Sequence, residues 1–135
     1  MPNIRPLNKD KYEISKHRFL ELYHFCMQYN DWKEELKSIT SAVKSTPISG
    51  MPSSHNYQDQ TAKLVEKRMK LAAKCELIEQ TAIEADPELY PYILEGVTCD
   101  YATYRYLKMS KDMPCGKNMY YDRRRKFYFL LSIKK

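Results

Sequence analysis

The run Asp122-Arg123-Arg124-Arg125-Lys126 puts four cations and one carboxylate in five consecutive residues, with Lys117, Asn118 and Tyr121 just before it. Guanidinium and ammonium groups neutralise phosphates and release condensed counterions, and Arg, Lys and Asn side chains can also read guanine or adenine edges. The chemistry open to this stretch is recognition of a polyanion. The whole-chain charge of +6 understates how concentrated it is: residues 101–135 hold ten Lys/Arg and two Asp/Glu, a net +8, while residues 1–100 hold thirteen and fifteen, a net −2.

Bond-making chemistry has far less to work with. His17, His24 and His55 lie in the N-terminal half, outside any H-E-x-x-H or H-x-x-E-H pattern, and no glycine-rich phosphate loop occurs. His24 and Cys26 stand two apart, so on a helix they point to different faces and cannot share an ion. Cys26, Cys75, Cys99 and Cys115 are widely spaced, without the close pairs of a zinc site. The expectation is a protein that is not an enzyme and uses neither cofactor nor metal.

The elements that would position the cationic run must be helical. Three glycines in 135 residues leave little material for tight strand turns, and apolar residues recur at three- and four-residue steps. With 43% hydrophobic and 30% charged residues, the chain has enough for one packed domain plus an extension. No run of eighteen apolar residues and no secretory h-region occurs, so a cytoplasmic location without membrane insertion is expected.

The spacing predicts an all-α fold in four parts. Residues 1–44 form a helical hairpin: one helix from near Ile14 through Phe19, Tyr23, Cys26 and Met27, and a second capped by Asn30 with Trp32, Leu36, Ile39 and Val43 on one face. Residues 45–58, with two prolines and a glycine, read as a flexible linker. A long central helix covers 59–85, capped by Asp59. Its Leu64, Leu71, Cys75, Ile78 and Ala82 stripe, widened by Val65, Met69 and Ala72, suits either packing within the chain or a homodimer seam through residues 60–85. Residues 86–135 complete the chain as a helix-turn-helix.

Within this last part, Asp86 and Pro87 start a short helix ending at Gly96. Asp100 or Thr98 caps a second helix containing Tyr101, Tyr104 and Leu107, and the Met113-Pro114-Cys115-Gly116 turn leads to a third from about Lys117 to Ser132. Three short helices in that order are what a helix-turn-helix requires, with the third in the major groove. Lys117, Asn118, Tyr121 and Arg124 are then the expected base contacts, and Arg105, Lys108, Lys111, Arg123, Arg125 and Lys126 the phosphate contacts. Tyr120, Phe127, Leu130 and Leu131 form the inner face. Glu79, Glu84, Asp86 and Glu88 make an acidic patch that either serves helix starts or meets RNA polymerase.

The segments Ile78-Glu79-Gln80-Thr81-Ala82-Ile83-Glu84-Ala85-Asp86-Pro87-Glu88-Leu89-Tyr90, Gly96-Val97-Thr98, Tyr106-Leu107, Met113-Pro114-Cys115-Gly116 and Tyr121-Asp122-Arg123-Arg124-Arg125-Lys126-Phe127 resemble small phage and prophage proteins of Firmicutes. These are similar to the ArpU and RinA type late-gene transcriptional regulators, which share a helix-turn-helix like that of sigma-factor region 4. The resemblance covers about residues 60–135 well and Tyr12 to Leu36 more loosely; Thr98-Cys99-Asp100-Tyr101-Ala102-Thr103 departs from the Tyr-x-x-Leu that usually opens the second helix. It implies a phage-encoded, sequence-specific binder of double-stranded DNA that regulates late or packaging genes. Two other functions fit the same residues: the DNA-recognition small subunit of a packaging terminase, and a protein-binding inhibitor of a host nucleic-acid enzyme.

Overall fold

A computed structural model describes residues 12–44 and 55–135. The described residues form six helices and no strand: α1 Lys16–Met27, α2 Tyr29–Lys44, α3 His55–Ala85, α4 Tyr90–Thr98, α5 Tyr104–Lys111 and α6 Lys117–Lys134. The all-α class is the one that the glycine count and helical spacing predict. The expected linker at 45–58 lies outside the described residues over 45–54. Its last four residues open α3, because His55-Asn56-Tyr57-Gln58 follows the last proline and contains no breaker.

The chain divides into two compact units, residues 30–76 and a larger one built from residues up to 29 and from 77 onward. In the smaller unit, α2 buries Trp32 and Ile39, and α3 buries Leu71 and Cys75. Lys74 sits over the Trp32 ring at 5.1 Å, and Lys67 pairs with Glu35 at 2.6 Å. Val65 and Met69 stay exposed, so the two sides of the expected stripe part ways: Leu71 and Cys75 pack inside the chain. α2 begins at Tyr29, one turn residue after α1, so Asn30 lies inside the helix and is not its cap.

The larger unit carries the cationic run. Ser15 starts α1 by accepting a hydrogen bond from the Arg18 N–H at 3.2 Å. Phe19, Leu22, Tyr23 and Cys26 recur at helical spacing and are all buried. α1 packs on α4 and α6, and α4 packs on α5 and α6. Ile78 and Ala82 of α3, Ile93 and Val97 of α4, Leu107 of α5, and Phe127, Tyr128 and Leu131 of α6 are fully buried. Each large apolar side chain so placed contributes about 1.5–3 kcal/mol relative to exposure.

Two helix starts differ from expectation. Asp86 Oδ1 accepts from the Glu88 and Leu89 N–H groups at 2.9 and 3.1 Å, which closes a turn over 87–89 and delays α4 to Tyr90. The helix then runs past Gly96 to Thr98. α5 is capped by Thr103, whose hydroxyl accepts from the Tyr106 N–H at 3.2 Å, so neither Asp100 nor Thr98 caps it and Tyr101 lies outside it, 60% exposed. Turn hydrogen bonds from the Ala102 N–H to Cys99 O and from the Thr103 N–H to Tyr101 O occupy the stretch where that helix was expected to begin.

Candidate nucleic-acid interface

α5 ends at Asp112, whose φ of 53° puts it in the left-handed region that Asp tolerates better than most residues. Its N–H and that of Met113 both return to Leu107 O, closing the C-terminal end of the helix. Lys108 then braces the turn: its Nζ donates to Met113 O at 3.1 Å and Cys115 O at 3.2 Å, while Met113 and Cys115 bury their side chains. A lysine read from the sequence as a phosphate contact thus holds the loop that aims α6. Arg105 and Lys111, on the same short helix, are exposed.

α6 presents two environments along its length. Lys117, Asn118 and Met119 in its first turn are exposed, whereas the six residues from Tyr121 to Lys126 are all half-buried. The cationic run is therefore set into the flank of the larger unit and does not stand clear of it.

Arg123 is fixed to the α3–α4 junction, its Nε donating to Asp86 Oδ2 at 3.0 Å and its Nη1 to Asp122 Oδ2 at 2.7 Å. Burial by itself would push the Asp86 carboxyl up. The Leu89 and Glu88 N–H groups and the Arg123 guanidinium outweigh that and hold it below the ordinary carboxylate value. Both charges of the pair are satisfied internally, so Arg123 acts as a staple between α6 and the start of α4.

Arg124 has different surroundings. It lies over the Tyr128 ring at 5.2 Å, and among the described residues no carboxylate is within ion-pair distance of it. With Tyr121 it lines a cleft of about 460 Å³ whose walls also include Tyr23, Asp100, Tyr104 and Tyr120. Burial pushes the Tyr120 hydroxyl up to about 12 and also raises Tyr23 and Tyr128, and in each case the Arg124 guanidinium pulls the other way. The structure thus brings together two of the four expected base contacts, Tyr121 and Arg124, in a recess. The other two, Lys117 and Asn118, stand in solvent.

Gly96 belongs to this recess. A Cβ there would overlap Tyr120 Oη and come within 3.3 Å of its Cζ, so glycine is required by the close approach of α6 to α4. That is a different use from the helix stop its sequence position suggests.

Arg125 and Lys126 are half-buried and have no carboxylate within ion-pair distance among the described residues; the Arg125 Nε is buried without a hydrogen-bond partner there. The acidic patch is largely spent on internal pairs. Glu79 accepts from the Tyr29 hydroxyl, Glu84 pairs with Lys134 at 2.8 Å, and Asp86 holds Arg123, which leaves Glu88 exposed.

Spacing alone missed Tyr23, Asp100 and Tyr104 as neighbours of Arg124. One signal was present: Lys117, Tyr121, Arg124 and Tyr128 follow i, i+4, i+7 and i+11, a stripe that alternates cation and phenol. No family model, curated protein or solved structure matches the chain. Among the described residues no helix is long and apolar enough to cross a membrane, and no group of three His, Cys, Asp or Glu side chains is placed to hold a metal.

Proposed function

We propose that the chain is a phage-encoded, sequence-specific binder of duplex DNA that regulates late or packaging genes, and that the first turn of α6 meets the bases. The observation that carries this reading is the exposed Lys117-Asn118 pair at the start of α6, directly after a braced turn and with the exposed cations Arg105 and Lys111 on the helix before it. The N-terminal residues of a groove-binding helix are the ones that reach base edges, and Lys and Asn suit guanine and adenine respectively. The net +8 of residues 101–135 and the resemblance to ArpU and RinA type regulators support it further.

The phosphate contacts are then Arg105, Lys111, Arg125 and Lys126, with Arg123 and Lys108 serving the architecture that presents them. A homodimer through α3 would use the exposed Val65 and Met69. A contact with RNA polymerase would rest on Glu88, the exposed member of the acidic patch for which no ion pair is found among the described residues.

Selection of bound sequences from a random duplex pool, followed by titration of the selected and scrambled duplexes, tests this. Enrichment of one motif is expected, with Asn118→Ala relaxing discrimination at one base pair by about 1–3 kcal/mol. Equal affinity for both duplexes at every salt concentration, or no duplex binding at all, would overturn the proposal. A ring of many subunits in ultracentrifugation would favour the terminase function.

A further inference from the structure

We propose that the cleft between α1, α4, α5 and α6 is a binding site for a single nucleotide unit, with the base against the tyrosines and the phosphate on Arg124. Three observations lead there. The cleft's roughly 460 Å³ lies within the range of about 300–1,000 Å³ typical of small-molecule sites. Four of its lining residues are tyrosines, Tyr23, Tyr104, Tyr120 and Tyr121, and the Tyr104 ring stands 6.3 Å from that of Tyr121 and 6.0 Å from that of Tyr120. The guanidinium of Arg124, half-buried in the lining of the same cleft, has no hydrogen-bond acceptor and no carboxylate in ion-pair range among the described residues.

A guanidinium partly withdrawn from water and left without an acid favours an anionic partner, and its planar fork suits the oxygens of a phosphate. Phenol rings offer a stacking platform that accepts any base. Asp100 in the lining of the same cleft argues against a ligand that is anionic throughout, such as bare phosphate. It suits one that pairs a phosphate with an uncharged, donor-bearing ring.

A nucleotide of this chemistry is available from two sources, a free mononucleotide or one unit of a single strand. The site does not rest on duplex recognition, because Lys117 and Asn118, the exposed base-contact candidates, are not among the cleft residues.

The test is calorimetric titration of the full chain with 5′-AMP, adenosine, inorganic phosphate and a short single-stranded oligodeoxyadenylate. Saturable AMP binding is expected, with adenosine and phosphate each at least about tenfold weaker, since each lacks one half of the recognition. Arg124→Gln and Tyr121→Ala should each weaken AMP about tenfold or more, while Lys117→Ala should leave AMP unchanged and weaken duplex DNA. An oligonucleotide that binds far more tightly than AMP and loses affinity in the same two variants identifies the strand as the source; equal affinity identifies the free nucleotide. Circular dichroism checks that the variants fold, and amide shift mapping on the wild-type chain gives a readout that needs no variant: AMP should perturb Tyr104 and Tyr121. No saturable binding of AMP or oligonucleotide, perturbation confined to other residues, or affinity retained in both variants would overturn the proposal.

Discussion

Arg123 and Arg124 are neighbours in one run of like charge, yet they face opposite circumstances. On one flank of α6, Arg123 meets a largely buried carboxylate, Asp86, which also organises the turn before α4. On the other, Arg124 meets phenols and open volume. The residue type is the same and the helix is the same. What divides their roles is whether the opposing element brings an acid, because a paired guanidinium is already satisfied and an unpaired one keeps its capacity for an external anion.

The comparison can be broken most severely from beneath. Phe127, on the same helix, is fully buried, so Phe127→Ala should cost about 3–5 kcal/mol of stability by denaturant titration, weakening every function of α6 together. Next in size, Asp86→Ala should cost about 2–3 kcal/mol, since it removes two hydrogen bonds to the turn before α4 and the acceptor for Arg123. A double-mutant cycle with Arg123→Ala should show coupling, whereas Arg124→Gln paired with Asp86→Ala should be additive.

The same flank sets an acid dependence. Because the folded-state carboxyl of Asp86 lies below its ordinary value of about 3.9, its contribution is fully present above that pH and is lost as pH falls through the lowered value. Thermal melts from pH 6 downward should show a steeper acid loss for wild type than for Asp86→Asn; parallel curves would contradict the pairing. The smallest effect is expected at the half-exposed Glu84–Lys134 pair, where Glu84→Gln should change stability by about 0.2–1 kcal/mol.

Much of this architecture was legible in the residues. α6 is marked by Pro114 and Gly116 ahead of it and by its buried Tyr120, Phe127 and Leu131, and its observed start at Lys117 is the expected one. The start of α4 was read three residues early. Asp86 does accept backbone N–H groups as anticipated, but the segment it organises is a turn before the helix. Gly96 was misread because a glycine near a helix end suits both a stop and a close approach, and the hydroxyl that decides between them belongs to Tyr120 on α6. The division between Arg123 and Arg124 was not legible at all. It depends on Asp86, 37 positions away, and on Tyr104 and Asp100, whose place beside α6 is a product of tertiary packing.

The most direct measurement of the division between paired and unpaired cations along the run is the salt dependence of duplex affinity for its single alanine variants. Lys126→Ala and Arg125→Ala should each lower the magnitude of the slope of log affinity against log salt by about one, the signature of one lost phosphate contact. Arg123→Ala should leave the slope unchanged, because its guanidinium is committed to Asp86 and Asp122. A slope that falls for Arg123→Ala and holds for the other two would contradict the account.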